Sequence, residues 1–290
     1  MSIIGLDEDL KVARREDIYQ AIDPKVHYDA QTFAGKVVLI TGASRGIGVE
    51  IALQYARAGA ALALVARTQA GLDASRDAIL RERPSAQVLT FPADVRDVTK
   101  AEEAVAATIT RFGRLDILVA NAATIRRLDL PFASKDPKGW WDVLDVNIRG
   151  TYNFIHFAVP ELLKTKGQVV VLTSIGAQLR LPTSSEYALS KFALNRLVEF
   201  VTVEYPAIKA FSVHPGVVQT DLFEECAGSY PVDSTVGLAA ATILYLTSGK
   251  ADYLSGRYVS SSWDLGDVER DWKEKILAQN SLVNKLSIPV

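Results

Sequence analysis

The feature of this sequence that most constrains its fold is a regular alternation of short apolar runs with longer amphipathic stretches, beginning near Lys36. The predicted strands are 37–41, 61–66, 87–91, 116–120, 168–174, 208–214 and 256–260. The predicted helices are 47–58, 69–83, 97–112, 138–164, 185–204 and 234–247. Several strands are apolar on both faces, which is typical of a parallel sheet that helices cover on both sides. Because parallel neighbours need a long crossover, this order predicts an α/β fold with a doubly wound parallel sheet.

The length of 290 residues is in the upper range for one α/β domain and also permits two small ones. No linker rich in Pro, Gly or Ser interrupts the middle of the chain, so we predict a single domain over residues 36–262. Residues 1–35 precede the alternating pattern and are predicted to be an N-terminal arm. Residues 263–290 follow it and are predicted to be a C-terminal tail with one helix at 266–278.

Composition and charge argue against several classes of function. The net charge is −2 and Lys and Arg form no runs, so we expect neither a nucleic-acid partner nor an anionic membrane partner. No apolar run reaches the roughly 20 residues that cross a bilayer, and acidic residues occur where a signal peptide would be apolar. The single cysteine, Cys226, excludes an internal disulfide and fits a reducing compartment. The histidines show no metal-ligand spacing, so we predict a cytoplasmic protein without a metal site.

The stretch TGASRGIG, residues 41–48, follows the first predicted strand and opens the helix after it. Its glycines, Gly42, Gly46 and Gly48, have the spacing G-x-x-x-G-x-G. An ordinary tight turn would also favour glycine. At the first strand–helix junction of a βαβ unit, however, glycines let the backbone approach a pyrophosphate, which free N–H groups of the helix can bind. The stretch therefore predicts a dinucleotide site.

The residues after the second predicted strand bear on the choice of cofactor. A carboxylate at this place usually binds the ribose 2′-hydroxyl of NAD, but this sequence has Ala66 followed by Arg67. Arg45, inside the glycine turn, is a second cation. Two guanidinium groups suit a 2′-phosphate, although each could instead be a solvated surface arginine. The combination favours NADP(H) over NAD(H).

The stretch SSEYALSK, residues 184–191, places Tyr187 and Lys191 on one face of a predicted helix. Taken alone, such a pair is most often an aromatic at the edge of the core beside a solvated cation. A neighbouring ammonium and the positive charge of an oxidised nicotinamide would nevertheless both stabilise a phenolate and lower the tyrosine pKa from about 10. A decrease of about three pKa units, roughly 4 kcal/mol, would let the phenol act as a general acid and base near neutral pH. Ser174 ends the fifth predicted strand, where its hydroxyl could donate to a developing alkoxide.

Five motifs occur together in the order and spacing of a known family. They are TGASRGIG, ANAA at 120–123, Ser174, the Tyr187–Lys191 pair and HPGVVQT at 214–220. Over about residues 36–262 the sequence resembles the short-chain dehydrogenase/reductase family. The resemblance implies a Rossmann-type fold with seven parallel strands, a nicotinamide cofactor and a Ser–Tyr–Lys catalytic group joined by Asn147. The sequence departs from the family pattern at ANAA and at SSSWD, residues 260–264.

The resemblance, together with the two cations, also implies which residues bind the cofactor. Asp94 should bind the adenine amino group, Asn121 should lie along the ribose, and the HPGVVQT motif should line the nicotinamide end. The complete predicted cofactor site is Gly42, Ser44, Arg45, Gly46, Ile47, Gly48, Arg67, Asp94, Val95, Asn121, Ala122, Tyr187, Lys191, Pro215, Gly216, Val218 and Thr220. The predicted catalytic residues are Asn147, Ser174, Tyr187 and Lys191. The resemblance implies that Asn147 holds a water through which Lys191 returns a proton to the phenol.

The segment after the nicotinamide motif, about residues 221–236, resembles a lid over the substrate. Phe223, Tyr230 and Pro231 could cover an apolar molecule there. Further pocket residues are predicted to be Ile175, Gln178, Leu179, Thr124 and Ile125. Three arginines could meet an anionic group, although loop arginines are usually solvated; they are Arg126, Arg127 and Arg180. The predicted substrate is a medium-sized, apolar ketone, aldehyde or secondary alcohol.

The leading hypothesis is an NADPH-dependent carbonyl reductase in which Tyr187 is the general acid and base. The same Tyr–Lys group could instead serve an epimerase, dehydratase or cyclase, and a non-catalytic NADP-binding sensor is a third hypothesis. The intact set of Ser174, Tyr187 and Lys191 argues against the sensor, which would not need it. Because the helices carrying Asn147 and Tyr187 often pair across subunits in the family, the resemblance implies a homodimer or homotetramer.

Overall fold

The computed structural model describes residues 4–5, 7–226, 231–286 and 288. The strands are β1 (Val37–Thr41), β2 (Ala61–Ala66), β3 (Val88–Pro92), β4 (Ile117–Ala120), β5 (Gln168–Leu172), β6 (Lys209–His214) and β7 (Arg257–Ser260). They form one seven-stranded sheet in the order β3-β2-β1-β4-β5-β6-β7, and every neighbouring pair is parallel. The predicted Rossmann-type α/β fold is confirmed.

Helices connect the strands and cover both faces of the sheet. They are α1 (Lys25–Ala30), α2 (Gly46–Arg57), α3 (Gln69–Glu82), α4 (Val98–Phe112), α5 (Pro137–Leu144), α6 (Gly150–Thr165), α7 (Ser185–Glu204), α8 (Asp221–Glu225), α9 (Val236–Tyr245), α10 (Leu265–Asp267) and α11 (Lys273–Ala278). Helix α4 illustrates how the sequence sets these bounds. Asp97 accepts a hydrogen bond from the Lys100 N–H at its start, and Gly113 ends it with φ +77°.

One predicted helix differs from the structure in a way that concerns the site. The stretch 138–164 was expected to be continuous, but it divides into α5, a π-helical turn at Asp145–Arg149, and α6. Such turns add a residue to the helical repeat and often occur at functional positions. Asn147 lies in this turn and is completely buried. Apolar periodicity does not reveal a single wide turn, because the flanking helices keep their amphipathic pattern.

The core consists of one apolar cluster on each face of the sheet. Alternate residues of a strand point to opposite faces, so Val38 and Ile40 belong to one cluster and Val37 and Leu39 to the other. Buried residues of α2, α3 and α9 complete the first cluster. Those of α4, α6 and α7 complete the second. This double coverage fixes the carboxyl edge of the sheet, where the loops after the strands converge.

The two appendages pack onto the domain. The N-terminal arm contributes Ile22 and Phe33 to the first apolar cluster, where the Phe33 ring meets the edge of Tyr55 at a centroid distance of 5.0 Å. The C-terminal tail runs along β7, the last strand of the sheet: the Tyr258 N–H donates to the Leu282 carbonyl oxygen at 2.8 Å. An edge strand leaves backbone groups unpaired, and the tail satisfies part of this edge.

Candidate active site

A cleft of about 610 Å³ opens at the carboxyl edge of the sheet, beside the turn between β1 and α2. The predicted cofactor residues that line it are Gly42, Ser44, Arg45, Gly46, Ile47, Arg67, Asp94, Val95, Asn121, Ala122 and Thr220. The structure therefore brings together the glycine turn and the loops after β2, β3 and β4. This is the edge at which ligands bind in open parallel sheets.

The glycine turn has the shape that a bound pyrophosphate requires. Gly42 has φ +67°, and a Cβ there would lie 2.8 Å from the Ala122 Cα. A Cβ on Gly48 would collide with the Gly42 carbonyl oxygen. No side chain caps the start of α2, because the N-cap residue, Arg45, makes no such hydrogen bond. The first N–H groups of a twelve-residue helix are thus available to an anion, and the residues fit the nicotinamide dinucleotide that the sequence predicts.

Asn121 contributes to this turn in a way that the sequence did not indicate. Its side-chain amide donates to the carbonyl oxygens of Thr41 and Gly42, at 3.0 and 3.1 Å. The Thr41 hydroxyl in turn accepts the Asn121 N–H at 3.1 Å. Asn121 therefore braces the backbone between β1 and β4, and this brace holds the glycine turn open toward the cleft.

The acid at the end of β3 has a partner that sequence reasoning missed. Asp94 forms a bidentate ion pair with Arg96, whose Nη2 lies 2.7 Å from Oδ2. The hydrogen bond from the Arg96 side chain is the main cause that holds the pKa of Asp94 below its ordinary value. Arg96 also lines the cleft. The sequence contains an arginine two residues after Asp94, but it does not show that the Arg96 side chain turns toward that carboxylate.

The two cations that favoured NADP(H) both lie at the cleft, in different surroundings. Arg45 is ion-paired with two residues of α8, Asp221 at 2.5 Å and Glu225 at 3.8 Å. Its side chain is nevertheless 56% exposed, so it can exchange partners with solvent or a ligand. Arg67 is exposed and forms no ion pair with any acid in the described part of the chain.

Three of the four predicted catalytic side chains, Ser174, Tyr187 and Lys191, meet between β5 and α7. Ser174 follows β5 and caps a short 3-10 turn, its hydroxyl accepting the Gly176 N–H at 3.0 Å. A Cβ on Gly176 would lie 3.3 Å from the Ser174 Oγ and 3.6 Å from the Tyr187 ring. The missing side chain at this glycine thus lets the serine and the tyrosine face each other. Tyr187 lies in the first turns of α7, which begins at Ser185.

Burial acts on the pKa values of both Tyr187 and Lys191. Burial raises the pKa of Tyr187 to about 12, and the Ser174 hydroxyl lowers it only in part. Burial also lowers the pKa of Lys191 to about 7. The Lys191 Nζ lies 5.6 Å from the centre of the Tyr187 ring and donates to the Leu172 carbonyl oxygen at 2.7 Å. Burial thus outweighs the lowering by the Ser174 hydroxyl, because loss of water disfavours the charged form of each side chain.

Asn147 connects the loop after β4 to α7. Its Oδ1 accepts the Thr124 N–H at 2.8 Å, and its Nδ2 donates to the Thr124 carbonyl oxygen at 3.0 Å and to the Ser190 Oγ at 2.9 Å. The Ser190 hydroxyl donates to the Tyr187 carbonyl oxygen at 2.7 Å. Thr124 and Ser190 were not predicted as partners. The side chain of Asn147 thus links Thr124 to Ser190 by hydrogen bonds. Its role in holding a water stays a prediction.

The loop after β6 holds the remaining predicted cofactor residues. Pro215, Gly216 and Val218 lie outside the lining of the cleft, as do the predicted cofactor residues Gly48, Tyr187 and Lys191, and Gly216 has φ +85°. Val218 forms an isolated β-bridge with Ser234, which keeps the loop next to the segment before α9. Thr220 caps α8 through its hydroxyl. Of the predicted lid residues, Tyr230 lies outside the described residues.

The predicted substrate-binding arginines are already paired with acids. Ion pairs join Arg126 to Asp142 at 3.3 Å, Arg127 to Asp129 at 3.2 Å, and Arg180 to Glu8 at 2.6 Å. All three side chains are more than half exposed. As exposed ion pairs, they can exchange partners with solvent or a ligand in the same way as Arg45. Ile125, by contrast, is buried and lines the cleft, which is consistent with an apolar wall.

A buried ion pair next to Tyr187 also escaped the sequence analysis. The Lys135 Nζ lies 2.8 Å from the Glu186 Oε1, with side chains only 7% and 2% exposed. Nearby, the Trp140 indole N–H donates to the Ser185 hydroxyl at 3.1 Å. The two contacts join the loop after β4 and α5 to the start of α7. A Glu immediately before Tyr187 was the signal available in the sequence.

Two further features concern metal binding and membrane insertion. Among the described residues, no group of three or more His, Cys, Asp or Glu side chains is arranged to hold a metal ion. In the same part of the chain, no helix is both long enough and apolar enough to cross a membrane.

Comparisons with known proteins add to this geometry. The sequence profile of the family described as short chain dehydrogenase matches residues 36–229. The chain is 41% identical over 267 residues to the short chain dehydrogenase mpl6 of Monascus purpureus, covering 87% of this chain and 89% of that relative. It is 41% identical over 194 residues to 11-beta-hydroxysteroid dehydrogenase-like 3 of Arabidopsis thaliana, covering 66% of this chain and 62% of that relative.

Two solved structures have a similar fold and more than a quarter of their aligned residues in common with this chain. Levodione reductase superposes with a TM-score of 0.73 at 27% identity, covering 83% of this chain and 100% of that one. A 3-ketoacyl-ACP reductase from Sinorhizobium meliloti 1021 superposes with a TM-score of 0.70 at 28% identity, covering 78% of this chain and 98% of that one.

Proposed function

The chain belongs to the short-chain dehydrogenase/reductase family, and we propose that it is an NADPH-dependent oxidoreductase acting on a carbonyl group or a secondary alcohol. Proteins of this family are oxidoreductases that bind a nicotinamide cofactor and act on small molecules. The proposed substrate is a medium-sized, apolar ketone, aldehyde or secondary alcohol. Relatives named as a levodione reductase, a 3-ketoacyl-ACP reductase and a hydroxysteroid dehydrogenase-like protein support this substrate class.

The observation that carries the proposal is the meeting of Ser174, Tyr187 and Lys191 at the sheet edge that also holds the glycine turn. The phenol has one hydroxyl neighbour and one amine beneath its ring, and both are held by backbone contacts. Ser174 is fixed by the Gly176 N–H and Lys191 by the Leu172 carbonyl oxygen. Fixed groups of this kind cost no reorganisation during a reaction.

Each side chain has a distinct part in the proposed chemistry. A bound nicotinamide cofactor would supply or accept the hydride. Tyr187 gives its proton to the carbonyl oxygen in reduction and takes the hydroxyl proton in oxidation. Ser174 donates a hydrogen bond to the same oxygen, which stabilises the developing negative charge. Lys191, with a pKa near 7, can carry a proton or release one at neutral pH.

The choice of NADPH rests on Arg45 and Arg67, which both line the cleft. A 2′-phosphate would offer Arg45 a stronger partner than the exposed carboxylates of α8, since bidentate arginine–phosphate contacts are among the strongest hydrogen-bonded pairs. We expect the double variant Arg45→Ala, Arg67→Ala to weaken NADPH binding far more than NADH binding. Equal weakening of both cofactors, measured by fluorescence titration, would contradict the assignment.

The experiment that tests the function is a screen of ketones and alcohols with NADPH and NADH, followed by the loss or gain of cofactor absorbance. Tyr187→Phe should keep NADPH binding and lose about 10²–10⁴-fold in turnover, because the acid–base group is removed. Tyr152→Phe, at an exposed tyrosine of α6, is the matched control. Unchanged turnover in Tyr187→Phe would refute the role. Substrate consumed without net change in NADPH would point instead to an epimerase, dehydratase or cyclase.

We also propose a homodimer or homotetramer. Large apolar side chains are exposed on α6 and α7, among them Tyr152, Leu163, Leu189, Phe200 and Val203. Contiguous exposed apolar surface commonly marks an interface. A sedimentation mass equal to one chain at micromolar concentration would rule this out. The cytoplasmic location stays a prediction from the sequence.

A further inference from the structure

Part of the N-terminal arm crosses the carboxyl edge of the sheet beside the end of β7. This leading segment comprises residues 4–5 and 7–19. Its backbone pairs with the loop after β7: the Arg15 N–H donates to the Ser262 carbonyl oxygen at 2.8 Å, and the Ala13 carbonyl oxygen accepts the Asp264 N–H at 2.9 Å. The segment is therefore hydrogen-bonded to the domain like a short antiparallel strand.

Side chains anchor the leading segment to a rigid part of the core. The Asp9 Oδ1 accepts the indole N–H of Trp263 at 2.7 Å, and Trp263 is only 1% exposed. Arg15 is ion-paired with Asp264 at 2.5 Å. The Tyr19 hydroxyl donates to the Trp263 carbonyl oxygen at 3.0 Å. Because a buried tryptophan receives contacts from two points of the segment, the segment cannot shift without disturbing the core.

One end of the leading segment meets the loop that follows the catalytic serine. The Ile4 carbonyl oxygen accepts the Arg180 N–H at 2.9 Å, and Glu8 forms an ion pair with Arg180 at 2.6 Å. Between them, Gly5 has φ +91°, and any Cβ there would collide with the Gln178 carbonyl oxygen. The two backbones are thus as close as glycine allows. Gln178 is one of the residues predicted to line the substrate pocket.

The other end of the leading segment meets the chain that returns from the predicted lid. The Glu16 carbonyl oxygen accepts the Thr235 N–H at 3.0 Å, and the Asp17 Oδ1 accepts the Thr235 hydroxyl at 2.8 Å. Just before Thr235, the Asp233 side chain accepts the Val217 N–H at 2.9 Å. The leading segment thereby also supports the loop after β6, which carries the predicted nicotinamide contacts.

We propose that the leading segment is one wall of the substrate site and limits the size of the carbonyl compound that can reach Tyr187. The proposal rests on the proposed function. The segment joins the loop after Ser174 to the segment before α9, so it bridges two loops that flank the predicted substrate site. A substrate that extends past Gln178 meets a backbone that is fixed to the core. Larger ketones therefore reach Tyr187 less readily than small ones do.

The test replaces Gly5 with valine in the full chain. The added side chain must separate Gly5 from Gln178, which moves the wall outward. Gly35→Val is the matched control, since Gly35 also has a left-handed φ of +75° but no atom within 4 Å of its Cβ position. Glu8→Gln is a milder second variant that removes only the charge paired with Arg180. The readouts are kcat/KM for cyclohexanone and 2-decalone, NADPH affinity, and hydrogen exchange of each variant.

In Gly5→Val, we expect the ratio of kcat/KM for 2-decalone to that for cyclohexanone to rise at least fivefold. NADPH affinity should stay within twofold, and exchange should increase in the peptide containing Gln178. Glu8→Gln should shift the ratio in the same direction by about twofold, and Gly35→Val should leave it unchanged. If the leading segment had only a structural role, Gly5→Val would lower kcat/KM equally for both substrates. An unchanged ratio, or unchanged exchange near Gln178, would overturn the proposal.

The failure of the proposed function would be recognisable separately. If the wild-type protein reduces neither ketone with either cofactor, the function proposal fails for this substrate class. The wall is then tested without turnover, by hydrogen exchange in the presence of NADPH and 2-decalone. Protection of residues 7–19 by 2-decalone, and less protection by cyclohexanone, would support the wall. Lack of any protection there would overturn it.

Discussion

The buried amine of Lys191 leads to a prediction about stability that does not require a known substrate. Lys191 is 2% exposed. In the described part of the chain, its side-chain amine donates to one acceptor, the Leu172 carbonyl oxygen. Burial lowers its pKa from an ordinary value of about 10.5 to about 7. The unfolded chain therefore keeps this proton up to a much higher pH than the folded protein does.

The sign of the effect follows from proton binding. Between about pH 7 and pH 10 the unfolded state binds the Lys191 proton and the folded state releases it, so the free energy of unfolding rises with pH. At about 1.4 kcal/mol per pH unit, the full effect over this window is about 4 kcal/mol. Relaxation and water penetration around a buried ammonium reduce such costs. We therefore expect an increase of about 2–4 kcal/mol. The raised pKa of Tyr187, about 12, acts with the opposite sign but only above this window.

Urea denaturation, followed by the fluorescence of the four tryptophans, measures this dependence at several pH values. Wild-type protein should become more stable from pH 7 to pH 10, and Lys191→Met should lose most of that slope. Lys138→Met, at an exposed lysine in the first turn of α5, should keep the wild-type slope. A Lys191→Met variant with the same pH dependence as the wild type would refute the reasoning, because the slope would then come from other groups.

Two further predictions concern groups near the site. Lys135→Met removes the ion-pair partner of the buried Glu186 and should lower the free energy of unfolding by about 3–5 kcal/mol. The double variant with Glu186→Leu should have a free energy of unfolding within about 1 kcal/mol of wild type. If urea denaturation shows the single variant to be as stable as the double variant, this prediction is contradicted. Gly48→Ala forces the glycine turn apart and should raise the NADPH dissociation constant at least tenfold. Gly237→Ala, where the nearest atom is 3.4 Å from the Cβ position, should not; equal affinities of the two variants would count against the close packing of the turn.

The parts of this protein that could be predicted from sequence are those set by local physical requirements. Strands buried on both faces need continuous apolar runs. The bounds of β1 and β2 are those of the two predicted runs. The glycine turn was predictable because only glycine permits the backbone approach between Gly42 and Gly48. Their positions relative to β1 then determined which edge of the sheet holds the cleft.

What could not be predicted depends on pairs of residues that are far apart in the chain. Lys135 and Glu186 are separated by 51 positions and Arg45 and Asp221 by 176, so no spacing rule joins them. The effect of burial on Tyr187 was likewise invisible, because a helical spacing gives the neighbour of the phenol but not the loss of water around it. Thus local patterns could predict which residues line the cleft, whereas the surroundings that set the pKa of Tyr187 could not be predicted in this way.

The covering of β7 by the C-terminal tail has a consequence for how this sheet can grow. Besides the Tyr258 contact, the Arg257 guanidinium donates to the Ser281 carbonyl oxygen at 2.5 Å and to the Asn280 side chain at 3.0 Å. A polypeptide that adds itself to a sheet needs a free margin of amide and carbonyl groups. Here the chain's own terminus occupies part of that margin. A variant truncated before Asn280 would leave these groups of β7 free to pair with a second copy of the chain. Larger species in sedimentation would indicate such strand addition.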